Sequence, residues 1–301
     1  MQYILNASAH VHGADGFNIW DVLLDALIDS AKMLPFLFLA FLLMEFIEHR
    51  AGDRLVDFLR KKGGGRVGGA ALGAVIGCVP QCGFSVAASN LYAGRVISAG
   101  TLIAVFLSTS DEAVPVLLAH PDKLSSLWQL IAAKIIIAAA AGIIADIIVK
   151  IFKLERGGES IEDMCEETGC GCGSHGIWYS SFKHTVNIFV FILIVNLVLG
   201  FVMAFVGEEA VKRFLGGMGI FQPVVTGIVG MVPNCAASVL VTELYADGAI
   251  SFGSAIAGLC TGAGVGLAVL FKTNKNLREN LVITGTVYAV GVLSGIILNL
   301  F

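Results

Sequence analysis

The chain has 301 residues, 56% of them hydrophobic and 14% charged, with a mean hydropathy of +0.85. A soluble domain carries roughly a quarter charged residues, so this composition excludes an ordinary water-soluble protein and predicts a polytopic helical membrane protein. The formal net charge of −4 decides little, because in a membrane the placement of charges matters more than their sum.

Residues 1–32 read as an N-terminal arm and amphipathic helix. Met1 to Gly16 is polar, with His10 and His12 flanking Val11, and reads as a free terminus or as a metal-capturing arm. No signal peptide is expected, because no basic stretch precedes an apolar core there. From Asn18 to Lys32, Ile19, Val22, Leu23, Ala26 and Leu27 recur at helical spacing beside Asp21, Asp25 and Asp29. This is an interfacial helix or the approach to the first span.

Residues 33–149 form a first transmembrane repeat. Met33 to Ile47 is its first span, and a basic loop from Arg50 to Arg66 follows. Val67 to Val79 is Gly/Ala-rich, too short to cross comfortably, and ends at Pro80; a second short run covers Cys82 to Ala93. Ile97 to Leu118 is long enough to span, but its middle holds Ser108-Thr109-Ser110-Asp111-Glu112. Leu124 to Val149 is a long span containing Lys134 and Asp146. Residues 150–181 are a polar linker with an acidic cluster and Cys165, Cys170, Cys172 and His175.

Residues 182–301 repeat the pattern. Phe182 to Val206 spans, Gly219 to Val232 and Cys235 to Tyr245 are a short pair, and Ile250 to Phe271 and Leu281 to Leu300 span. The correspondence reaches individual residues. Gly77-Cys78-Val79-Pro80-Gln81-Cys82-Gly83-Phe84-Ser85 lies over Gly230-Met231-Val232-Pro233-Asn234-Cys235-Ala236-Ala237-Ser238. Leu91-Tyr92-Ala93 lies over Leu244-Tyr245-Ala246, and Gly100 over Gly253, at a constant offset of 153 residues. The expected fold is therefore an all-α polytopic membrane protein of two repeats, each of five apolar segments with a Pro-broken or re-entrant helix pair.

An odd number of crossings per repeat inverts the second repeat relative to the first. The positive-inside rule agrees. With the N-terminus outside, fourteen Lys and Arg fall on the cytoplasmic side and four outside, with Lys134 inside a span. The linker 150–181 is then cytoplasmic, and the expected location is the cytoplasmic (inner) membrane. Inverted repeats with interrupted helices are a sequence mark of secondary transporters.

Irregular backbone at membrane depth is tolerated where protein or a water-filled cavity surrounds it. Pro80 and Pro233 lack an N–H and break their helices. Each break frees carbonyls and exposes the N–H donors of the next half-helix. Inversion would bring Gln81, Cys82 and Ser85 to face Asn234, Cys235 and Ser238. The plainer alternative is two Pro kinks with buried cysteines.

Asp111 and Glu112 are carboxylates within an apolar segment, which are costly and by default functional. Ser108, Thr109 and Ser110 precede them, and Thr261-Gly262-Ala263-Gly264 occupies the corresponding stretch without an acid. Such oxygen ligands suit a divalent cation, or one carboxyl carries a coupling proton. An interfacial position of both acids is the alternative. Lys134 reads as their partner or as a snorkelling side chain. Asn90 and Glu243 correspond between the repeats and read as half-helix ends. The linker set Cys165, Cys170, Cys172 and His175 offers soft ligands for a metal or metalloid, or is a flexible linker.

The paired Gly-x-Val-Pro-x-Cys stretches, the Ser-Thr-Ser-Asp-Glu group and the ten apolar segments resemble the ten-transmembrane heavy-metal exporter family. Its members are labelled arsenic-efflux permeases or manganese transporters. The resemblance implies export of a metal or metalloid and fixes neither. Cys82 and Cys235, with Cys78 and Cys260 near them in sequence, favour a thiophilic substrate; Asp111 and Glu112 favour a hard cation or proton coupling. Other readings are an exporter of a small organic anion and a channel of the same architecture.

The expected substrate-binding set is Pro80, Gln81, Cys82, Ser85, Ser108, Thr109, Ser110, Asp111, Glu112, Pro233, Asn234, Cys235, Ser238 and Thr261. Metal ligands would come from Cys82, Cys235, Asp111 and Glu112, with the linker set beside them. No enzymatic motif, P-loop or aspartyl-phosphate motif is visible, so no cofactor is expected and a proton gradient is the expected energy source. The expected partners are a metal or metalloid substrate and the lipid bilayer, with no nucleic acid. A homodimer is an admissible assembly.

Overall fold

The computed structural model describes residues 65–78, 82–109, 113–118, 124–151, 177–206, 218–233 and 235–300, with scattered helical positions between 20 and 42. The arm 1–16 and the linker 152–176 lie outside the described residues. Described secondary structure is helical throughout.

The first half contains α1 (Gly65–Gly77), α2 (Cys82–Ala93), α3 (Ala99–Ser108), α4 (Ala113–Leu118) and α5 (Leu124–Ile151). α6 (Ile177–Val206) follows. The second half contains a 3-10 turn (Gly219–Phe221), α7 (Gln222–Gly230), α8 (Cys235–Ala246), α9 (Phe252–Thr261), α10 (Val265–Thr273) and α11 (Leu277–Leu300). The described helices end at Gly77 and Gly230 and resume at Cys82 and Cys235.

Two expected spans are not continuous. The run 97–118 divides into α3 and α4, and the run 250–271 divides into α9 and α10. In the second case Gly264 adopts φ +55° and ψ −143°, a conformation that a residue with a Cβ rarely reaches. Apolarity alone could not reveal this, because a broken helix and a whole one need the same apolar residues at these positions.

Matching contacts recur at the same offset. Ser98 caps α3 by accepting from Thr101 N at 3.1 Å, and Ser251 caps α9 by accepting from Ser254 N at 3.2 Å. Gly100 N donates to Asp146 Oδ1 at 2.8 Å, and Gly253 N donates to Asn299 Oδ1 at 3.1 Å. The backbones of α3 and α5 touch at Gly100 and Gly142, and those of α9 and α11 touch at Gly253 and Gly295. Small residues let membrane helices approach this closely.

These contacts also give the directions of the helices. α1 runs alongside α3 in the same sense: a Cβ on Gly69 or Gly73 would meet Thr101, and one on Gly77 would meet Val105 and Ser108. α2 then leads back from that end to the start of α3. α7 runs alongside α9 in the same way, with Gln222 beside Ser251 and Gly230 beside Gly258 and Thr261. Arg95, just before α3, pairs with Glu279 in the first turn of α11 at 3.1 Å. α9 instead starts beside Asn299, at the other end of α11. α11 has 24 residues, about 36 Å at 1.5 Å per residue. α3 and α9 therefore enter the bundle from opposite ends.

Among the described residues, large apolar side chains face outward on the long helices and polar groups lie inside. Trp128, Ile136, Ile144, Leu281, Val282 and Leu293 are exposed on α5 and α11. Ser85, Ser89, Lys134, Asp146, Thr226 and Ser254 are buried. That distribution suits a chain whose surroundings are hydrocarbon. Among the described residues, Ser125–Ile151, Phe252–Thr273 and Leu277–Leu300 are long and apolar enough to cross a membrane, the second of them through the α9–α10 break. The main core joins both halves through Leu102, Phe106, Leu107, Leu240, Leu244 and Ile256. A smaller cluster of Val86, Ile188, Ile192, Val265 and Val269 seats α6 on α10.

Candidate functional site

The candidate site lies where α3 and α9 end. Each has ten residues, about 15 Å, so two of them entering from opposite ends meet near the middle of a bundle ~30 Å deep. A helix C-terminus leaves carbonyls without intrahelical partners and carries a partial negative charge. Two such ends facing each other require a donor.

Lys134 of α5 supplies it. Its side chain is fully buried, and its Nζ donates to Thr109 O at the end of α3 and, at 2.7 Å, to Leu259 O near the end of α9. One ammonium group thus joins the two halves. Burial rules out the snorkelling reading of Lys134. Sequence reasoning found this lysine without finding its acceptors, because backbone carbonyls carry no residue-type signal.

Hydroxyls line the same ends. Ser108 Oγ and Thr109 Oγ1 donate to Val105 O at 3.1 and 2.7 Å. Thr261 Oγ1 lies 2.8 Å from Gly227 O, 3.1 Å from Ala257 O and 3.0 Å from Gly258 O. Each hydroxyl hydrogen is directed to a carbonyl, so what these residues can offer a ligand is an oxygen lone pair. Ser108, Thr109 and Thr261 are all buried. Of these residues, Thr109 meets Lys134 directly, through its carbonyl, while Ser108 and Thr261 sit at the ends of the same two helices.

Ser85 is buried on α2 and lies against Gly266 of α10, where an added Cβ would be 2.6 Å from Ser85 Cβ. Ser89 ties the same two helices by donating to Gly266 O at 2.7 Å. α2 packs on α10 and α8 packs on α4, so each returning helix of one half meets the segment beyond the break of the other. Pro233 and Ser238 are half-buried, and Ser238 O accepts from Thr242 Oγ1 at 2.7 Å. Cys82 and Cys235 open α2 and α8, and their side chains lie outside the described residues. So do Pro80, Gln81, Ser110, Asp111, Glu112, Asn234, Cys165, Cys170, Cys172 and His175.

Two thiols join the described part of the site. Cys78 is half-buried at the end of α1, and Cys260 is fully buried in α9. Cys78 follows Gly77, which packs against Val105 and Ser108, and Cys260 lies between Leu259, whose carbonyl accepts from Lys134, and Thr261. Asn90 is buried on α2, and its Nδ2 has no partner among the described residues. Also among them, no three His, Cys, Asp or Glu side chains form a metal-holding group.

No curated protein and no solved structure matches the chain. A family model described as "Putative, 10TM heavy-metal exporter" matches residues 18–216. The match covers the first repeat, the linker and α6, the first span of the second repeat, and ends before the 3-10 turn that precedes α7. With its apolar exterior and buried polar centre, the chain belongs to this family of multi-pass membrane transporters.

Proposed function

We propose that the protein is a secondary active exporter of a heavy metal or metalloid, coupled to protons, working by alternating access around the site at Lys134. The observation that carries this reading is the meeting of α3 and α9, one from each half, at a buried polar centre inside an apolar bundle. A simple scaffold has no use for two interrupted helices ending on one ammonium. A transporter does, because such ends can part and rejoin as the halves rock.

The opposite entry of α3 and α9 supports inverted repeats, and the α1–α2 and α7–α8 pairs fit re-entrant hairpins with tips at Pro80 and Pro233. Arg95, Lys272, Lys275 and Arg278 gather at the end of α11 that holds Glu279, which fits a cytoplasmic face there. Pro80, Gln81, Cys82, Pro233, Asn234 and Cys235 would line the path at the hairpin tips. Asp111 and Glu112, following Thr109, would carry the coupling proton or face a cationic substrate.

The test is ligand-dependent thermal stabilisation of the purified protein with arsenite, methylarsenite, manganese, zinc and small organic anions. A ligand that binds only the folded state raises its apparent stability. Stabilisation by a trivalent arsenical that disappears in Cys82→Ser/Cys235→Ser supports a thiophilic substrate. Stabilisation by manganese that requires Asp111 or Glu112 supports a divalent cation. Stabilisation by organic anions alone would overturn the metal reading.

A further inference from the structure

We infer that Lys134 is a tethered cation: its ammonium group fills a cation site built by the carbonyl ends of α3 and α9, in place of a free inorganic ion. The C-terminal ends of interrupted helices are natural cation sites, since each brings unpaired carbonyls and about half a negative charge. Here Thr109 O and Leu259 O, one from each half, both accept from Lys134 Nζ. A lysine carries three N–H donors, so its ammonium can serve both carbonyls at once.

The device exists in one copy. The position matching Lys134 in the second half is Val287, which is 1% exposed and part of the apolar core. The chain therefore supplies one built-in charge to a centre that the two halves share. Its consequence is specific: the protein needs neither Na+ nor K+ to close this centre, and transport runs without a gradient of either. Removing the side chain should leave a vacancy that accepts a small monovalent cation.

The flux half of this inference rests on the proposed transport function; the stability half does not. The experiment uses purified full-length protein carrying Lys134→Ala, Lys134→Gln or Lys134→Arg. Thermal unfolding is followed in Na+, K+, choline, methylammonium and ethylammonium chlorides. Wild type should melt at one temperature in all five. Lys134→Ala should melt lower and recover saturably by roughly 5–10 °C with ethylammonium or Na+, and not with choline, which is too bulky. Lys134→Arg should stay closer to wild type than Lys134→Gln, because the group required is a charge as well as a donor.

Equal stability of Lys134→Gln and wild type, with Lys134→Ala indifferent to every cation, would overturn the inference and leave Lys134 a plain hydrogen-bond donor. Recovery of Lys134→Ala by Asp111→Asn or Glu112→Gln without added cation would also overturn it, assigning the charge to that carboxylate. If Lys134→Ala does not fold, the order of Lys134→Arg and Lys134→Gln decides alone. In proteoliposomes, wild-type substrate flux that requires Na+ or K+ would overturn it too. Cation recovery of Lys134→Ala with no wild-type flux of any metal would instead sink the exporter reading and keep the cation site.

Discussion

Gly295 and Gly285 lie on the same helix, α11, and predict opposite effects of the same substitution. A Cβ on Gly295 would lie 2.7 Å from Ala257 Cβ and collide with Gly253 O. Ordinary carbon contacts are near 3.5–4.0 Å, so α9 and α11 must part by about 1 Å. Overpacking of this kind costs about 1–3 kcal/mol, and parting also strains the Gly253 N to Asn299 Oδ1 hydrogen bond, worth about 1 kcal/mol. The helix-propensity gain of Gly→Ala returns about 1 kcal/mol, leaving Gly295→Ala destabilised by about 2 kcal/mol. A Cβ on Gly285 meets nothing within 4 Å, so Gly285→Ala keeps the gain of about 1 kcal/mol. The two variants should therefore differ by about 3 kcal/mol, or roughly 6–10 °C in melting temperature at one scan rate. Gly142→Ala, which would meet Gly100 O at 2.6 Å and Ala104 Cβ at 2.9 Å, should behave like Gly295→Ala. The assay is intrinsic-fluorescence unfolding in detergent. A Gly295→Ala protein melting at or above Gly285→Ala would refute the close α9–α11 crossing, and with it the placement of Leu259 O beside Lys134.

Two further predictions concern the ends of the short helices. Thr261→Val keeps the shape but removes the 2.8 Å hydrogen bond to Gly227 O, which retains Met231 N at 3.2 Å, and should cost about 1 kcal/mol, whereas Thr261→Ser should stay within about 0.5 kcal/mol of wild type in the same unfolding assay. Arg95 occupies a left-handed turn at φ +58°, in the place that Gly248 takes at φ +74° in the second half. Arg95→Gly relieves about 1 kcal/mol of backbone strain but removes the ion pair to Glu279. Stability should change little, while Arg95→Ala, which keeps the strain and loses the pair, should melt lower than Arg95→Gly.

The sequence by itself determined the class of the protein and the internal repeat in its residues, and it marked the stretches after Gly77 and Gly230 where described helices stop. Hydrophobic run length reports the surrounding solvent, and Pro80 and Pro233 report a missing N–H whatever packs around them. The offset between the repeats carried over into capping, glycine and acceptor contacts, because Ser98 and Ser251, Gly100 and Gly253, and Gly142 and Gly295 are fixed by residue type. Only the tertiary structure decided what Lys134 does. Its acceptors are the carbonyls of Thr109 and Leu259, which any residues would provide, and they come together because α3 and α9 enter from opposite ends and stop. The stop in α9 is likewise a matter of backbone: Cys260 to Val265 is as apolar as a continuous span requires, and the turn at Gly264 leads into α10, which Ser89 of α2 holds at Gly266 O.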